Sequence, residues 1–191
     1  MRLLSLIIGL ILIKLAIAQY ATGCFYWYNF GLLGAWLLFE YLSHIRGNKT
    51  TLDLLFNNYK KFIILFIALA LFGSVIELVG NAGLHLWSYS HLTPMQLCFL
   101  VPIFYPFILM SFMEMFKFIR SLIKNFPIAV ISAMILGIII WEIPNIYSQD
   151  WIYKIPHINL EIFHINIVVI IGWVILILGP YYIYRLLKIG G

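Results

Sequence analysis

Apolar residues fall in long unbroken runs separated by short polar segments, without the period-two alternation of barrel strands. A bilayer core about 30 Å thick is crossed by roughly 20 apolar residues in helical form. Runs of that length cover about 3–22, 25–44, 61–80, 95–117, 126–143 and 163–187. Because the runs are continuous, helices are favoured over strands. The pattern predicts an all-α fold, a polytopic membrane bundle of about six transmembrane helices forming one integral domain over 1–191. Segment 48–60 is polar enough for a short loop or an interfacial helix.

Composition sharpens this picture. The chain is 64% hydrophobic, 17% aromatic and only 10% charged. A soluble domain carries about 25% charged residues, so too few polar side chains are present to cover one. That excludes a soluble globular enzyme, a disordered chain and a nucleic-acid-binding module. Membrane lipids are the expected surroundings.

Charge then orients the bundle. Of the 12 basic residues, Arg2, Arg46, Lys49, Lys60, Lys61, Lys117, Arg120, Lys124, Arg185 and Lys188 all fall on one side if every run crosses. Lys154 lies on the other side, and Lys14 lies within the first run. Basic residues mark cytoplasmic loops, so both termini are expected in the cytoplasm of a prokaryotic cell. Residues 1–18 have the outline of a cleavable leader, ending Ala16-Ile17-Ala18. Lys14 interrupts the apolar stretch, so a retained first helix is expected. Asn48-Lys49-Thr50 matches a glycosylation acceptor but falls on the cytoplasmic side, as a chance match would.

One motif occurs twice. Glu77, Asn81, Trp87 and Tyr89 in the first half answer to Glu142, Asn145, Trp151 and Tyr153 in the second. Each set reads Glu, two or three residues, Asn, five residues, Trp-x-Tyr, and each lies between two apolar runs. This points to a duplicated helical hairpin, with 1–60 as an N-terminal hairpin and loop, 61–122 as repeat one and 126–187 as repeat two. Each unit crosses twice, so the copies share one orientation, unlike the inverted repeats of many transporters. The eight motif residues are the candidate binding site, near the non-cytoplasmic face.

A carboxylate in or near hydrocarbon is costly unless paired or wet, which makes intramembrane acids functional candidates. Two such acids brought close would resist joint ionisation and share a proton. That suits acid–base chemistry, proton coupling or cation binding equally. The bland alternatives are helix-end polar residues for the glutamates and an interfacial belt for the Trp and Tyr residues. Three functions therefore stand: binding or transport of a proton, cation or small solute; a membrane-embedded enzyme acting on a lipid or isoprenoid; or a structural scaffold. A small hydrophobic or cationic ligand is the expected partner.

Trp141-Glu142-Ile-Pro-Asn145, Trp151-Ile-Tyr153-Lys-Ile-Pro156, Gly172-Trp173 and Tyr181 to Arg185 resemble a set of uncharacterised bacterial and archaeal polytopic membrane proteins. Those carry two copies of a Phe/Trp-Glu-x-x-Asn, Trp-x-Tyr signature. The resemblance spans about 25–187 and implies a helical bundle with no established activity. The first copy departs from it: Ile76 replaces the aromatic, and one residue is added before Asn81. Glu77-Leu-Val-Gly80, Gly83 and Trp87-Ser-Tyr89 also resemble, more distantly, membrane-bound carotenoid cyclases and hydratases. Glu114 stands alone where the cyclases carry paired acids.

The remaining polar residues are weaker candidates. His85, His91, His157 and His164 share the outer side with Glu77, Glu142, Asp150 and Glu161, but no metal-ligand spacing appears. No metal is assigned, and the cofactor is unknown. Histidine-bound haem is the remote alternative. Cys24 and Cys98 both fall at outer span ends and are expected as unpaired buried thiols, with a disulfide between them as the alternative. Glu40 and Glu114, close to His44 and Lys117, are expected to snorkel or form local ion pairs near helix ends. Pro102 and Pro106 are expected to kink or break the fourth run.

Overall fold

Each apolar run folds as a helix, and most helix starts are fixed by a polar side chain at the boundary. A computed structural model describes residues 2–24, 27–155, 158, 160–162 and 165–187. His157, His164, Pro156 and Lys188 lie outside the described residues. Helices α1 (Arg2–Ala21) and α2 (Trp27–Ile45) form the first hairpin, followed by the short α3 (Thr51–Asn57). Next come α4 (Tyr59–Glu77), strand β1 (Trp87–Tyr89) and α5 (Pro94–Leu122). Then follow α6 (Phe126–Gly137), α7 (Ile143–Ser148) and strand β2 (Trp151–Tyr153). Two-residue strands β3 (Glu161–Ile162) and β4 (Ile165–Asn166) lead into α8 (Ile167–Leu186).

Thr93 caps α5 by accepting from the Gln96 amide, while the Gln96 side chain accepts from the Thr93 amide. Asn125 and Asn166 cap α6 and α8 by accepting from Ile128 and Val168. Such caps satisfy amides that have no partner inside the helix. Of the expected kink or break at Pro102 and Pro106, the break does not occur: α5 runs unbroken through both. Neighbouring helices support it on several sides, which makes proline tolerable inside a membrane helix.

Five helical segments are long and apolar enough to cross a membrane: Arg2–Ala21, Tyr59–Gly83, Pro94–Leu122, Phe126–Ser148 and Ile167–Leu186. The remaining long helix, α2, has 19 residues but is not among them. It carries Asn29, Glu40 and His44, and its Trp27, Leu32, Trp36, Phe39 and Glu40 are buried inside the bundle. Outward faces are apolar instead: Ile63, Ile67, Leu71 and Val75 form an exposed stripe on α4. A stripe of that kind suits hydrocarbon rather than water.

α5 is the central helix, packed against α2, α4, α6 and α8. Its stretch from Ile108 to Lys117 is buried on every face, as a helix surrounded by others must be. Close crossing of α1 and α2 depends on Gly9 and Gly34, where side chains would meet the facing backbone. At the far end of the chain's two halves, β1 pairs antiparallel with β2, with Trp87 opposite Tyr153 and Tyr89 opposite Trp151.

Candidate functional site

Both glutamates of the motif sit where a helix leaves α geometry. After Glu77, the helix continues as a π segment over Leu78–Gly83. Before Glu142, α6 passes into a π segment over Ile138–Glu142. A π turn inserts one extra residue and re-aims the side chains beyond it, and such turns recur at functional sites. The insertions reconcile the two spacings. Gly73 precedes Asn81 by the same interval as Gly137 precedes Asn145, although Glu142 lies one place further from its glycine than Glu77 does.

Those glycines have a steric role. A side chain at Gly73 would overlap the Tyr105 ring, and one at Gly137 would overlap the Trp173 ring. Each glycine is therefore a notch that seats an aromatic from another helix, and that aromatic donates to the neighbouring glutamate.

Glu77, 8% exposed, is enclosed by donors. Its carboxylate accepts from Asn81 Nδ2 at 3.1 Å, from Trp87 Nε1 at 3.3 Å and from the Tyr89 and Tyr105 hydroxyls. Gly80 makes room for the Trp87 ring. Around Glu142, 4% exposed, the set is smaller. Tyr153 OH donates at 2.8 Å and Trp173 Nε1 at 3.1 Å, both to Oε1. Trp151 Nε1 donates to the Tyr153 hydroxyl at 3.1 Å. Asn145 does not reach the carboxylate. Its side chain brackets the Trp151 backbone instead, donating at 2.8 Å to the carbonyl and accepting at 3.0 Å from the amide. Burial, reinforced by the adjacent carboxylate, pushes the Tyr89 and Tyr153 hydroxyls well above the usual tyrosine range. Both therefore stay protonated and act as donors.

Between the motifs lies a cavity of about 590 Å³, within the range of pockets that enclose small molecules. Trp87, Tyr89, Trp151, Tyr153, Glu142 and Tyr28 line its strand-pair end. The Tyr28 ring meets Trp141 and Trp151 edge-on at 5.3 and 5.0 Å between centroids. Deeper walls are apolar, formed by Phe72, Ile108, Phe112 and Leu176. Val75 of α4, Val79 of the π segment after it, and Ile171 and Ile175 of α8 also line it, and all four are exposed. Phe72 packs on Gly179, so the antiparallel α4 and α8 touch there. On the strand-pair side of that contact, the cavity lining therefore includes exposed residues of both segments.

All eight motif residues lie at this end of the bundle, joined by the β1–β2 pairing. They divide into two separate sets, one around each carboxylate, and in the second set Asn145 holds the Trp151 backbone rather than the carboxylate. Tyr105, Gly73, Gly137 and Tyr28 complete the arrangement and were not singled out from the sequence, while Trp173 was named there only within the Gly172-Trp173 pair, not as a partner of Glu142. The matching glycine-to-asparagine intervals were the available signal for two of them.

Other expectations fare differently. No group of three or more metal-ligating His, Cys, Asp or Glu side chains occurs among the described residues. His91 faces Asp150 at 3.6 Å, and Trp27 Nε1 donates to Asp150 at 2.6 Å. Cys24 and Cys98 are free, and Cys98 is exposed rather than buried. Glu40 and Glu114 do not snorkel: both are fully enclosed, because α3 folds back over them. Glu114 does make the local pair with Lys117, at 2.9 Å, whereas His44 faces Asp53.

No protein-family model matches the chain, and no curated protein or solved structure matches it.

Proposed function

We propose that the protein binds a long-chain hydrophobic membrane molecule carrying a hydroxyl group, such as a prenyl or acyl alcohol. The molecule enters from the bilayer between α4 and α8, and its polar end meets Glu142. The carrying observation is the position of Glu142 in the cavity wall, with the Tyr153 and Trp173 donors converging on Oε1. Oε2 is then the acceptor offered to a ligand hydroxyl, while apolar walls and a lining that includes exposed residues of α4 and α8 suit a chain that never leaves the membrane.

The two motifs, on this reading, are copies of one hairpin unit with the same orientation. Equal Gly-to-Asn and Asn-to-Trp intervals in both support duplication. The basic loops support an orientation with both termini in the cytoplasm of a prokaryotic cell and the cavity towards the opposite face.

An enzymatic reading rests on the same observation. A carboxylate in the wall of a cavity holding an isoprenoid can act as general acid or base. Transport of a cation is less well supported, since the donors around Glu77 are neutral groups of the protein itself.

The test is equilibrium binding to protein in nanodiscs of a prenyl alcohol and of the hydrocarbon of equal length. Wild type is expected to prefer the alcohol by about tenfold, since one hydrogen bond to a charged acceptor contributes about 1.5 kcal/mol. Glu142→Gln is expected to reduce that preference, and Glu77→Gln to leave it largely intact. Equal affinity for alcohol and hydrocarbon, or binding of neither, contradicts the proposal. Recovery of a chemically altered alcohol identifies the enzyme.

A further inference from the structure

A second pair of acids lies at the opposite end of the bundle, away from the cavity. Glu40 on α2 and Glu114 on α5 are both 0% exposed. The loop after α2 returns over them and presents the first turn of α3. Glu40 Oε1 accepts from the Leu52 amide at 3.1 Å, from Trp36 Nε1 at 3.1 Å and from the Thr51 hydroxyl. Glu114 Oε1 accepts from the Thr51 amide at 3.0 Å and from Lys117 Nζ at 2.9 Å. Docking of α3 therefore accounts for one oxygen of each acid. The other oxygen, Oε2, is buried without a hydrogen-bond partner in both. A buried polar atom left unpaired is uncommon and calls for an explanation.

Charge counting gives the explanation its form. Lys117 is the one buried cation among the described residues here; it also donates to the Lys49 carbonyl and lies 4.4 Å above the Tyr184 ring. Surrounding charges are already compensated. Asp53 on α3 is bridged to Arg2 on α1 and faced by His44 on α2 at 3.9 Å. Tyr184 on α8 donates to the Lys49 carbonyl at 3.3 Å, and the Lys49 side chain is exposed. Two ionised glutamates against one ammonium would leave a net negative charge away from water, which is strongly unfavourable.

We propose that Glu40 and Glu114 together form a buried proton-binding site that holds one proton. Lys117 balances the remaining carboxylate. The proton belongs to the pair, as it does for coupled acids in general. It makes the cluster neutral and gives one Oε2 an O–H to donate. A bound metal cation fits less well. Hard cations take six or more oxygen ligands, and no cluster of three or more metal-ligating side chains exists among the described residues. This site does not depend on the ligand cavity.

Infrared spectroscopy of the full chain in lipid bilayers tests the assignment. Wild type at neutral pH should show the carbonyl stretch of a protonated carboxylic acid, shifted by exchange into D2O. Glu40→Gln and Glu114→Gln each leave one carboxylate against one buried ammonium, so each variant should lose the same component. A wild-type spectrum lacking any protonated-acid band overturns the proposal, whether or not the variants fold. So does a band that survives unchanged in both variants.

Discussion

At the scale of single residues, the structure treats its buried acids unequally. Glu77 is saturated by four neutral side chains, whereas Glu142 has two donors on one oxygen. Removing one of four donors is tolerable, because the remaining three keep the carboxylate solvated. Tyr105→Phe is therefore expected to lower stability by about 1 kcal/mol, and Trp173→Phe by about 2 kcal/mol. Reversible unfolding in mixed micelles reads both, and the reverse order would contradict the donor counts. The glycine notches give a sterically sharper test. Gly73→Leu and Gly137→Leu force the Tyr105 and Trp173 rings away, at a cost of about 1–3 kcal/mol each. Gly172→Ala, with open space at its Cβ position, should stay within about 0.5 kcal/mol of wild type. The motif residues themselves were legible from their repeated order. Their partners were not, since Tyr105 and Trp173 lie on later helices and reach the glutamates only once the bundle packs. Glu40 and Glu114 were misread for a related reason. An acid near a helix end ordinarily reaches water, and only the return of α3 seals these two in.

At the scale of elements, hydropathy runs located every long helix, because a run long enough to cross a bilayer has few other uses. Helix ends were less legible. The α5 start at Pro94 follows from the Thr93 and Gln96 cap, a signal visible in the sequence. The π segments leave no comparable trace, and the one at Leu78–Gly83 carries the helix beyond its apolar run. Short strands β1 and β2 were also illegible, since Trp-x-Tyr at a membrane boundary looks like an aromatic belt until a partner strand is found. The π insertion at Ile138–Glu142 is the element on which Glu142 depends. Deleting Ile139 would restore α geometry and turn Glu142 by about 100° about the helix axis. The deletion is expected to abolish the alcohol preference while preserving the helix content seen by circular dichroism. Retained preference would show that the π turn does not aim the carboxylate. Thr93→Ala, by contrast, should cost only about 1 kcal/mol and leave binding unchanged.

At the scale of the whole molecule, polar groups are turned inward and isoleucine, leucine and valine outward. Acids occupy both ends of the bundle interior, at the strand pair and beneath α3. On the proposed route, the cavity is reached from the bilayer between α4 and α8. If that is the entry, enlarging a side chain beside it must slow entry more than it weakens binding. Ile175→Trp is expected to slow uptake of a prenyl alcohol by about tenfold or more, with its equilibrium affinity changed less. Stopped-flow uptake from vesicles reads the rate, and an unchanged rate would place the entry elsewhere.

The most direct test of a chain-binding cavity is photolabelling in bilayers with a prenyl alcohol that carries a diazirine at its far end. Labelled peptides should cover 97–112 of α5 and 168–176 of α8, which line the cavity, and excess unlabelled alcohol should displace the label. Labelling confined to outward positions such as Ile131 and Ile135 on α6, insensitive to competitor, would contradict the account.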